Sequence, residues 1–382
     1  SYFEINSYKN NLSLNTSIHV YEDLTKLNKS DRYEYIYPDY NLLKEFDNDN
    51  NLNGKFSLNS YGYIKEFDTN INEKTIINDF VFNSNLKVLN QGFTSNYTYL
   101  LKNSNTDTTN SPSYKENLDN RLDGIFNLKT SLPLIKESEE YISTLNPTMS
   151  FRYSPNNTKN MSNNDARIDI NNIFSLNRFN SATSVEGGKS LTYGIEYTKA
   201  DKSNNEIIGV ALANIFRPSA NKKLPIKGSM NEKTSDIVGQ LNLNPNEYLN
   251  MSYNFSLNNN LSDKSYETLN SGIKINNFVS TFEYLNENDS SNNLNKSYLT
   301  NTTKISNDNN SKSLSFSTRE NKSTNATEFY NLLYQYRNDC LIAGLEYNKE
   351  YYSDGTIKPE ESIFFKLTIV PFGQTTTPNL KK

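Results

Sequence analysis

The stretch Leu249-Asn250-Met251-Ser252-Tyr253-Asn254-Phe255-Ser256-Leu257 decides the fold class of this protein. Every odd-numbered position is apolar or aromatic, and every even-numbered one is Asn or Ser. Successive side chains of a β-strand point to opposite faces, so this alternation predicts a strand with one apolar and one polar face. Ile237, Gly239, Leu241 and Leu243 alternate in the same way, and Asn244-Pro245-Asn246-Glu247 has the composition of a turn. The two stretches are therefore predicted to form a hairpin.

The same alternation recurs through much of the chain. It is clear at 330–336, 341–347 and 363–369, and the last of these is predicted to be the final strand because Pro371 follows it. The polar segments 286–295 and 306–311 are predicted to be connections, and Gly187-Gly188 a hairpin turn. Residues 132–140 suit either one turn of helix or a strand end followed by a charged loop.

Composition excludes several classes of protein. The chain has 382 residues, of which 35% are hydrophobic and 12% aromatic, with one Cys and a net charge of −4. No apolar run approaches the roughly 18 residues of a membrane-spanning helix, and one Cys cannot build a disulfide scaffold. The net charge, without any basic block, disfavours nucleic acid as a partner, and the aromatic content disfavours a disordered chain.

Sheet architectures differ in what the apolar face of the strands contacts. A sandwich would show shorter strands richer in Val, Ile, Gly and Pro. Here the apolar face is rich in Tyr and Phe, and the opposite face in Asn, Ser, Thr and Lys. A membrane barrel turns such an apolar face to lipid and such a polar face to a wet lumen. The predicted fold is an all-β, antiparallel, up-and-down transmembrane β-barrel of about twenty strands, with closure by this chain alone left open. A soluble β-solenoid or adhesin is the alternative.

Residue types for catalysis or metal binding are scarce. His19 is the only His and lies in a strand-like stretch, where a place on a sheet face is favoured over a catalytic or metal-binding role. Residues 47–51 lack the Gly and terminal Glu of a calcium loop and are predicted to be solvated. Neither a P-loop nor a dinucleotide-binding glycine motif occurs. The protein is therefore predicted to be no enzyme, with no catalytic residues, no metal and no cofactor.

Two single residues each have two interpretations. Pro38 interrupts the strand-like run 33–40. Because Pro cannot donate to a ladder, it marks either a kink in the wall or a functionally weakened strand pairing. Cys340 is either a buried thiol or the partner of a Cys outside this sequence, since a lone Cys in an exported protein invites wrong pairing.

A succession of short motifs in the middle of the chain resembles a known family. Phe151-Arg152-Tyr153-Ser154-Pro155-Asn156 is followed by Ala166-Arg167-Ile168-Asp169, by Asn177-Arg178-Phe179, by Val185-Glu186-Gly187-Gly188 and by Leu191-Thr192-Tyr193-Gly194. In this order they resemble the C-terminal barrel region of the LPS-assembly outer-membrane protein family, LptD. Tyr37-Pro38-Asp39 upstream and residues 336–347 downstream are similar to strands of the same family.

The resemblance implies a Gram-negative outer-membrane barrel that inserts lipopolysaccharide into the outer leaflet. It implies that the sugars pass through the polar lumen and that the lipid leaves by a lateral opening between the first and last strands. Its implied partners are lipopolysaccharide, a plug lipoprotein like LptE, the periplasmic lipopolysaccharide-transport bridge and outer-membrane lipid. The last strand would form one wall of this lateral gate, with residues Ser362, Ile363, Phe364, Phe365, Lys366, Leu367, Thr368 and Ile369.

The sequence departs from the family pattern at several positions. Family members commonly carry two adjacent Cys at the position of Cys340, bonded to Cys residues near an N-terminal periplasmic domain, and here Asp339 replaces one of them. Asn180 and Ser181 stand where a Gly is frequent. Residues 1–382 are predicted to be the C-terminal part of one barrel domain, with a jelly-roll domain and the first strands upstream. A general outer-membrane porin or transporter and a surface adhesin stay open as alternative functions.

Overall fold

The structure is a computed structural model that describes residues 2–24, 26, 28, 31–46, 53–68, 70–178, 181–289, 294–351, 360–369, 373–376 and 380–381. Their regular structure is β-strand, with short 3-10 turns at Asn90–Gly92 and Lys227–Ser229. The first ten strands are β1 (Tyr2–Lys9), β2 (Leu12–Glu22), β3 (Tyr33–Phe46), β4 (Gly54–Phe67), β5 (Ile71–Ser84), β6 (Lys87–Val88), β7 (Thr94–Thr109), β8 (Asn117–Ser131), β9 (Leu134–Glu137) and β10 (Tyr141–Ser154). The next seven are β11 (Gly188–Asp201), β12 (Glu206–Phe216), β13 (Ile237–Asn246), β14 (Leu249–Leu257), β15 (Lys264–Ile275), β16 (Phe278–Asp289) and β17 (Leu294–Ser306). The last six are β18 (Lys312–Asn321), β19 (Ala326–Arg337), β20 (Leu341–Glu350), β21 (Glu361–Ile369), β22 (Gly373–Thr376) and β23 (Leu380–Lys381).

All these strands belong to one antiparallel, up-and-down sheet. Each long strand pairs with the long strands before and after it in the chain. The short strands extend this order, since β6 pairs with β7, β9 with β10, and both β22 and β23 with β21. No described residue of β1 pairs with β21, β22 or β23, so the described part of the sheet is not closed. The predicted fold class is confirmed.

One face of the sheet keeps large apolar side chains exposed. Along β7, Tyr99 and Leu101 are 51% and 45% exposed, whereas Thr98, Leu100 and Lys102 on the other face are buried. Aromatic rings from β4, β5, β7 and β8 form a row on the exposed face, with centroids 4.6 Å apart for Phe56 and Phe82 and 4.9 Å apart for Tyr99 and Phe126. An exposed apolar face with rows of aromatics is the lipid-facing design of a membrane barrel. No helix in the described ranges is long and apolar enough to cross a membrane.

The opposite, inner face is polar and largely buried. Thr106 and Thr108 of β7, Ser150 of β10 and Thr192 of β11 are all at most 3% exposed. These positions alternate with the outward apolar ones, as the period of two requires. The expected assignment of polar residues to the inside is therefore confirmed.

The hairpin predicted at 237–257 is confirmed, but two local predictions are wrong. Residues 286–289 and 294–295 continue β16 and β17 instead of forming a polar connection, because the ends of these strands carry polar side chains on both faces. Two short strands, β22 and β23, follow β21, so β21 is not the final strand. Of the two interpretations of residues 132–140, the strand end followed by a charged loop is confirmed, since residues 134–137 form β9. The predicted loop at 47–51 lies outside the described residues.

Candidate functional site

Two long connections at the same end of the sheet fold onto its inner face. Residues 155–187 join β10 to β11, and residues 217–236 join β12 to β13. We call these two segments together the cap. Their apolar side chains form a core with three wall residues of β12 and β13, and every member is at most 4% exposed. The members are Ile168, Ile173, Leu224 and Met230 of the cap and Ala213, Ile215 and Val238 of the wall.

Hydrogen bonds join the two cap segments into one body. The buried Thr158 Oγ1 accepts from the backbone N–H of Gly187 and from Asn221 Nδ2, both at 2.9 Å. The backbone N–H of Met161 donates to the carbonyl of Lys223 at 2.7 Å. A second apolar contact, of Val185 with Leu100 and Ile125, extends the cap to the wall at β7 and β8.

A buried carboxylate lies at the centre of the cap, surrounded by three guanidinium groups. Arg217 donates to Glu186 Oε1 from Nε at 3.0 Å and from Nη2 at 2.9 Å. Arg178 donates from Nη1 to both carboxylate oxygens at 3.2 and 3.3 Å. Arg152 Nη1, from the inner face of β10, donates to the backbone carbonyl of Glu186 at 2.6 Å. All four residues are at most 3% exposed.

The positive and negative charges of this cluster do not cancel. Burial opposes ionisation of Glu186, but the three guanidinium groups, Arg178 most strongly, outweigh burial and lower the pKa of this carboxyl far below its usual range. Burial also lowers the pKa of Arg178 to about 10, against the attraction of Glu186. The two shifts have different causes, since neighbouring cations lower the pKa of Glu186 and burial lowers that of Arg178, but both reflect one buried anion shared by three cations. The cluster therefore holds an excess of positive charge.

A second group of ions ties the cap to the wall at β16. Glu287 of β16 pairs with Arg167 from the first cap segment and, at 2.7 Å, with Lys227 from the second. The Arg167 guanidinium also stacks over the Tyr266 ring, with its Cζ 3.8 Å from the ring centroid. Burial opposes ionisation of Lys227, but its bonds with Asp165 and Glu287 raise the pKa of this amine above the ordinary value. The cap is thus held at both ends of its span across the lumen.

The motif residues divide between cap and wall. Ser154 faces inward and is buried, whereas Tyr153 and Tyr193 point outward. Asp169 accepts the backbone N–H groups of Asn171 and Asn172 at 2.8 and 3.0 Å and so closes a turn of the cap. Asn177 Nδ2 donates to the Ser181 carbonyl at 2.7 Å. Pro155 begins the cap, and Phe179 lies outside the described residues.

The glycines of the motifs serve the close packing of the cap. A Cβ on Gly187 would lie 2.0 Å from the Asn156 carbonyl oxygen, and one on Gly194 would lie 3.1 Å from the Phe174 ring. Gly188 begins β11 with a φ of +91°, a conformation that side chains disfavour. The predicted hairpin turn at Gly187-Gly188 is wrong, because the pair ends a long folded segment rather than joining two adjacent strands.

The other predicted site residues lie apart from the cap. At Pro38 the register shifts against both β2 and β4, so the residue sits in a bulge of β3. Cys340 is an exposed free thiol in the turn between β19 and β20, at the sheet end opposite the cap. In β21, Ser362 is buried, while Ile363, Phe365 and Ile369 are exposed.

Sequence reasoning did not single out Arg152, Glu186, Arg217, Lys227 or Glu287 as site residues. Arg152 and Glu186 lie within the quoted motifs, but nothing local pairs them with Arg217. One signal was available, since the chain has 31 Lys and only eight Arg, and four of those eight fall within 152–217. In a Lys-rich sequence, Arg is retained where planar, multi-donor geometry is needed.

Comparison with known families connects this architecture to a function. The family LPS transport system D, LptD, matches residues 3–319, which is most of the chain. The chain belongs to the LptD family. LptD is a family of outer-membrane transport proteins rather than enzymes, and its substrate is lipopolysaccharide. The LptD barrel described above is therefore an outer-membrane barrel of lipopolysaccharide transport, and LptD proteins in general interact with LptE.

Comparison with solved structures finds the siderophore receptor PirA from Acinetobacter baumannii. The two structures superpose with a TM-score of 0.45 at 7% sequence identity, over 96% of this chain and 71% of that chain. No curated protein matches the sequence. Membership of the LptD family therefore rests on the family match.

Proposed function

We propose that this LptD barrel passes the sugars of lipopolysaccharide through its lumen and releases the lipid sideways into the outer leaflet at β21. An inner wall rich in Ser, Thr and Asn supports this, because it offers dense donors and acceptors to a glycan. The exposed apolar outer face supports a surrounding of hydrocarbon. Acyl chains that leave through the wall then remain in the hydrocarbon of the membrane, while the sugars remain in the aqueous lumen.

The observation that carries the lateral gate is the uneven pairing of β21. On one side it pairs with β20 over the nine residues from Glu361 to Ile369. On the other side, within the described part of the chain, it pairs with β22 over four residues and with β23 over two. A short ladder has fewer hydrogen bonds to break, so this edge is the least costly place to open the wall. The gate wall therefore comprises Ser362 to Ile369.

The partners follow from the same proposal. A plug lipoprotein like LptE would occupy the lumen beside the cap, and the periplasmic bridge would deliver lipopolysaccharide at the end that carries Cys340. The longest connections of an outer-membrane barrel are extracellular, which puts the cap at the extracellular mouth. Barrel and cap need no covalent chemistry, and the energy for transport comes from the supply of lipopolysaccharide.

Site-specific photo-crosslinking tests the gate. A photoreactive amino acid at Phe364, Lys366 or Thr368 in the intact parent protein should form lipopolysaccharide adducts in cells. The adducts should vanish when lipopolysaccharide supply is blocked, because they form only with lipopolysaccharide that is passing β21. The same probe at the outward-facing Phe282 on β16, far along the sheet, is the control and should be insensitive to supply. A folded protein with no supply-dependent adduct at any β21 position would contradict the gate and favour a porin.

A further inference from the structure

A cavity of about 480 Å³ opens between the cap and the cap-side ends of β10 and β11. We propose that this cavity binds a sugar carrying an anionic group, such as phosphate or carboxylate. The proposal deepens the transport function and rests on it, because the sugar would belong to the lipopolysaccharide that the barrel passes. Volumes of this size are typical of small-ligand sites.

The charged residues that line the cavity are all cationic. They are Lys189 at the start of β11, Arg217 after β12, and Lys223 in the second cap segment. None of the described lining residues is Asp or Glu. By contrast the neighbouring Lys222, which does not line the cavity, is paired with Glu232 at 2.5 Å. The cavity therefore collects positive charge that its own walls do not neutralise.

Two residues of the cavity lining each carry a buried polar atom without a hydrogen-bond partner. Arg217 Nη1 and Ser154 Oγ have no hydrogen-bond partner among the described residues, although Arg217 is only 3% and Ser154 1% exposed. A buried donor without a partner costs free energy, and a guanidinium does so more than a neutral group. Because both atoms are themselves buried, they add polarity and uncompensated charge beside the cavity rather than direct contacts to a ligand.

The buried cluster behind the cavity adds to the attraction. Glu186 is shared among Arg152, Arg178 and Arg217, so Arg217 is not fully neutralised by it. Arg152 Nη2 and Arg178 Nε also have no partner within the described part of the chain. A ligand anion next to Arg217 would offset part of this excess.

The remaining lining suits a sugar more than a bare ion. Asn157 provides an amide group, and the amides of Asn156 and Asn221 each keep one N–H and one oxygen lone pair beyond their bonds within the protein, as sugar hydroxyls require. Tyr153 also contributes to the lining, and Lys189 Nζ lies 5.8 Å from the centroid of its outward-pointing ring. A small inorganic anion would leave most of these groups unused.

Ligand titrations test the site on the purified full-length protein with its natural partner. The probe is the lipid-free oligosaccharide released from the cells' own lipopolysaccharide, with Kd read by ligand-detected NMR. The double variant Lys189→Gln/Lys223→Gln should bind about tenfold more weakly, because charge-assisted bonds are lost. Lys222→Gln carries the same kind of charge change outside the cavity and should bind like the wild type. Lys189→Arg/Lys223→Arg should retain binding.

Two chemical variants of the probe distinguish the possible ligands. An oligosaccharide stripped of phosphate and with reduced carboxylates should bind at least tenfold more weakly than the native one. Equal binding of the two, or wild-type binding by the Gln double variant, would overturn the anionic site. Inorganic phosphate that binds as tightly as the oligosaccharide would overturn the assignment to a sugar. The β21 crosslink, measured in the same variants, reports transport separately from this site.

Discussion

At the scale of single residues, one buried carboxylate is shared by three buried guanidinium groups. Glu186→Gln would leave three buried guanidinium groups around a neutral amide, and breaking a buried ion pair costs about 3–5 kcal/mol. We therefore expect hydrogen exchange in the cap to accelerate strongly while exchange in β2 to β5 is unchanged. Glu232→Gln, which removes only the exposed partner of Lys222, is the matched control and should cost less than about 1 kcal/mol.

The same residue predicts the acid sensitivity of the cap. The pKa of Glu186 is lower in the folded protein than its ordinary value of 4.5, so the unfolded cap binds more protons. The stability from this group is present above pH 4.5 and is lost as the pH falls below it. Cap exchange measured from pH 7 to pH 3 should show this loss in the wild type and lack it in Glu186→Gln. Identical acid profiles of the two proteins would refute the role of Glu186.

At the scale of elements, β16 holds the cap through one shared carboxylate. Glu287→Gln would deprive Arg167 and Lys227 of their common partner, and charge-assisted hydrogen bonds contribute about 1.5–3 kcal/mol each. Limited proteolysis within 160–175 and 222–232 should become faster. Cleavage within the strands should be unchanged, because their backbone hydrogen bonds do not depend on the Glu287 ion pairs.

The control for this tie lies on the same strand. Glu283 precedes Glu287 by four residues, faces the same way and is exposed. Glu283→Gln makes the same chemical change without removing a cap contact, so its proteolysis pattern should match the wild type. A pattern for Glu287→Gln that matches Glu283→Gln would show that the apolar core alone holds the cap.

At the scale of the whole molecule, the two ends of the sheet face different compartments. With the cap extracellular, a membrane-impermeant maleimide should label Lys222→Cys in intact cells when Cys340 is replaced by Ser. In the otherwise unchanged protein, Cys340 should be labelled only after the outer membrane is permeabilised, because its turn is at the opposite end. Labelling of Cys340 in intact cells would show that the Cys340 end, rather than the cap, is extracellular.

Reductant extends this measurement to the predicted disulfide. If Cys340 pairs with a Cys of a periplasmic segment, as the family resemblance implies, its labelling in permeabilised cells should also require prior reduction. Labelling without reductant would show a free thiol and leave the orientation intact.

The alternation of apolar and polar residues determined much of the fold without reference to tertiary contacts. A stretch such as 249–257 has one apolar and one polar face in any antiparallel sheet. The local sequence alone therefore determines that it forms a strand of a hairpin and which of its faces is polar. The boundaries were less certain where both faces are polar, as at 286–295, because Asn supports strand and turn equally well. The short strands after Pro371 carry no such alternation and were missed.

The site, by contrast, was decided by tertiary structure. Glu186, Arg152 and Arg217 lie in three different parts of the chain, and only the folding of two long connections onto one wall brings them together. The family motifs located Arg178 and the glycines, but no periodicity marks a loop that packs inward. Strand pattern depends on neighbours one and two residues apart, whereas burial of a charge depends on what the rest of the chain places around it. For that physical reason the sequence by itself determined the wall, and only the tertiary structure decided the cap and its cavity.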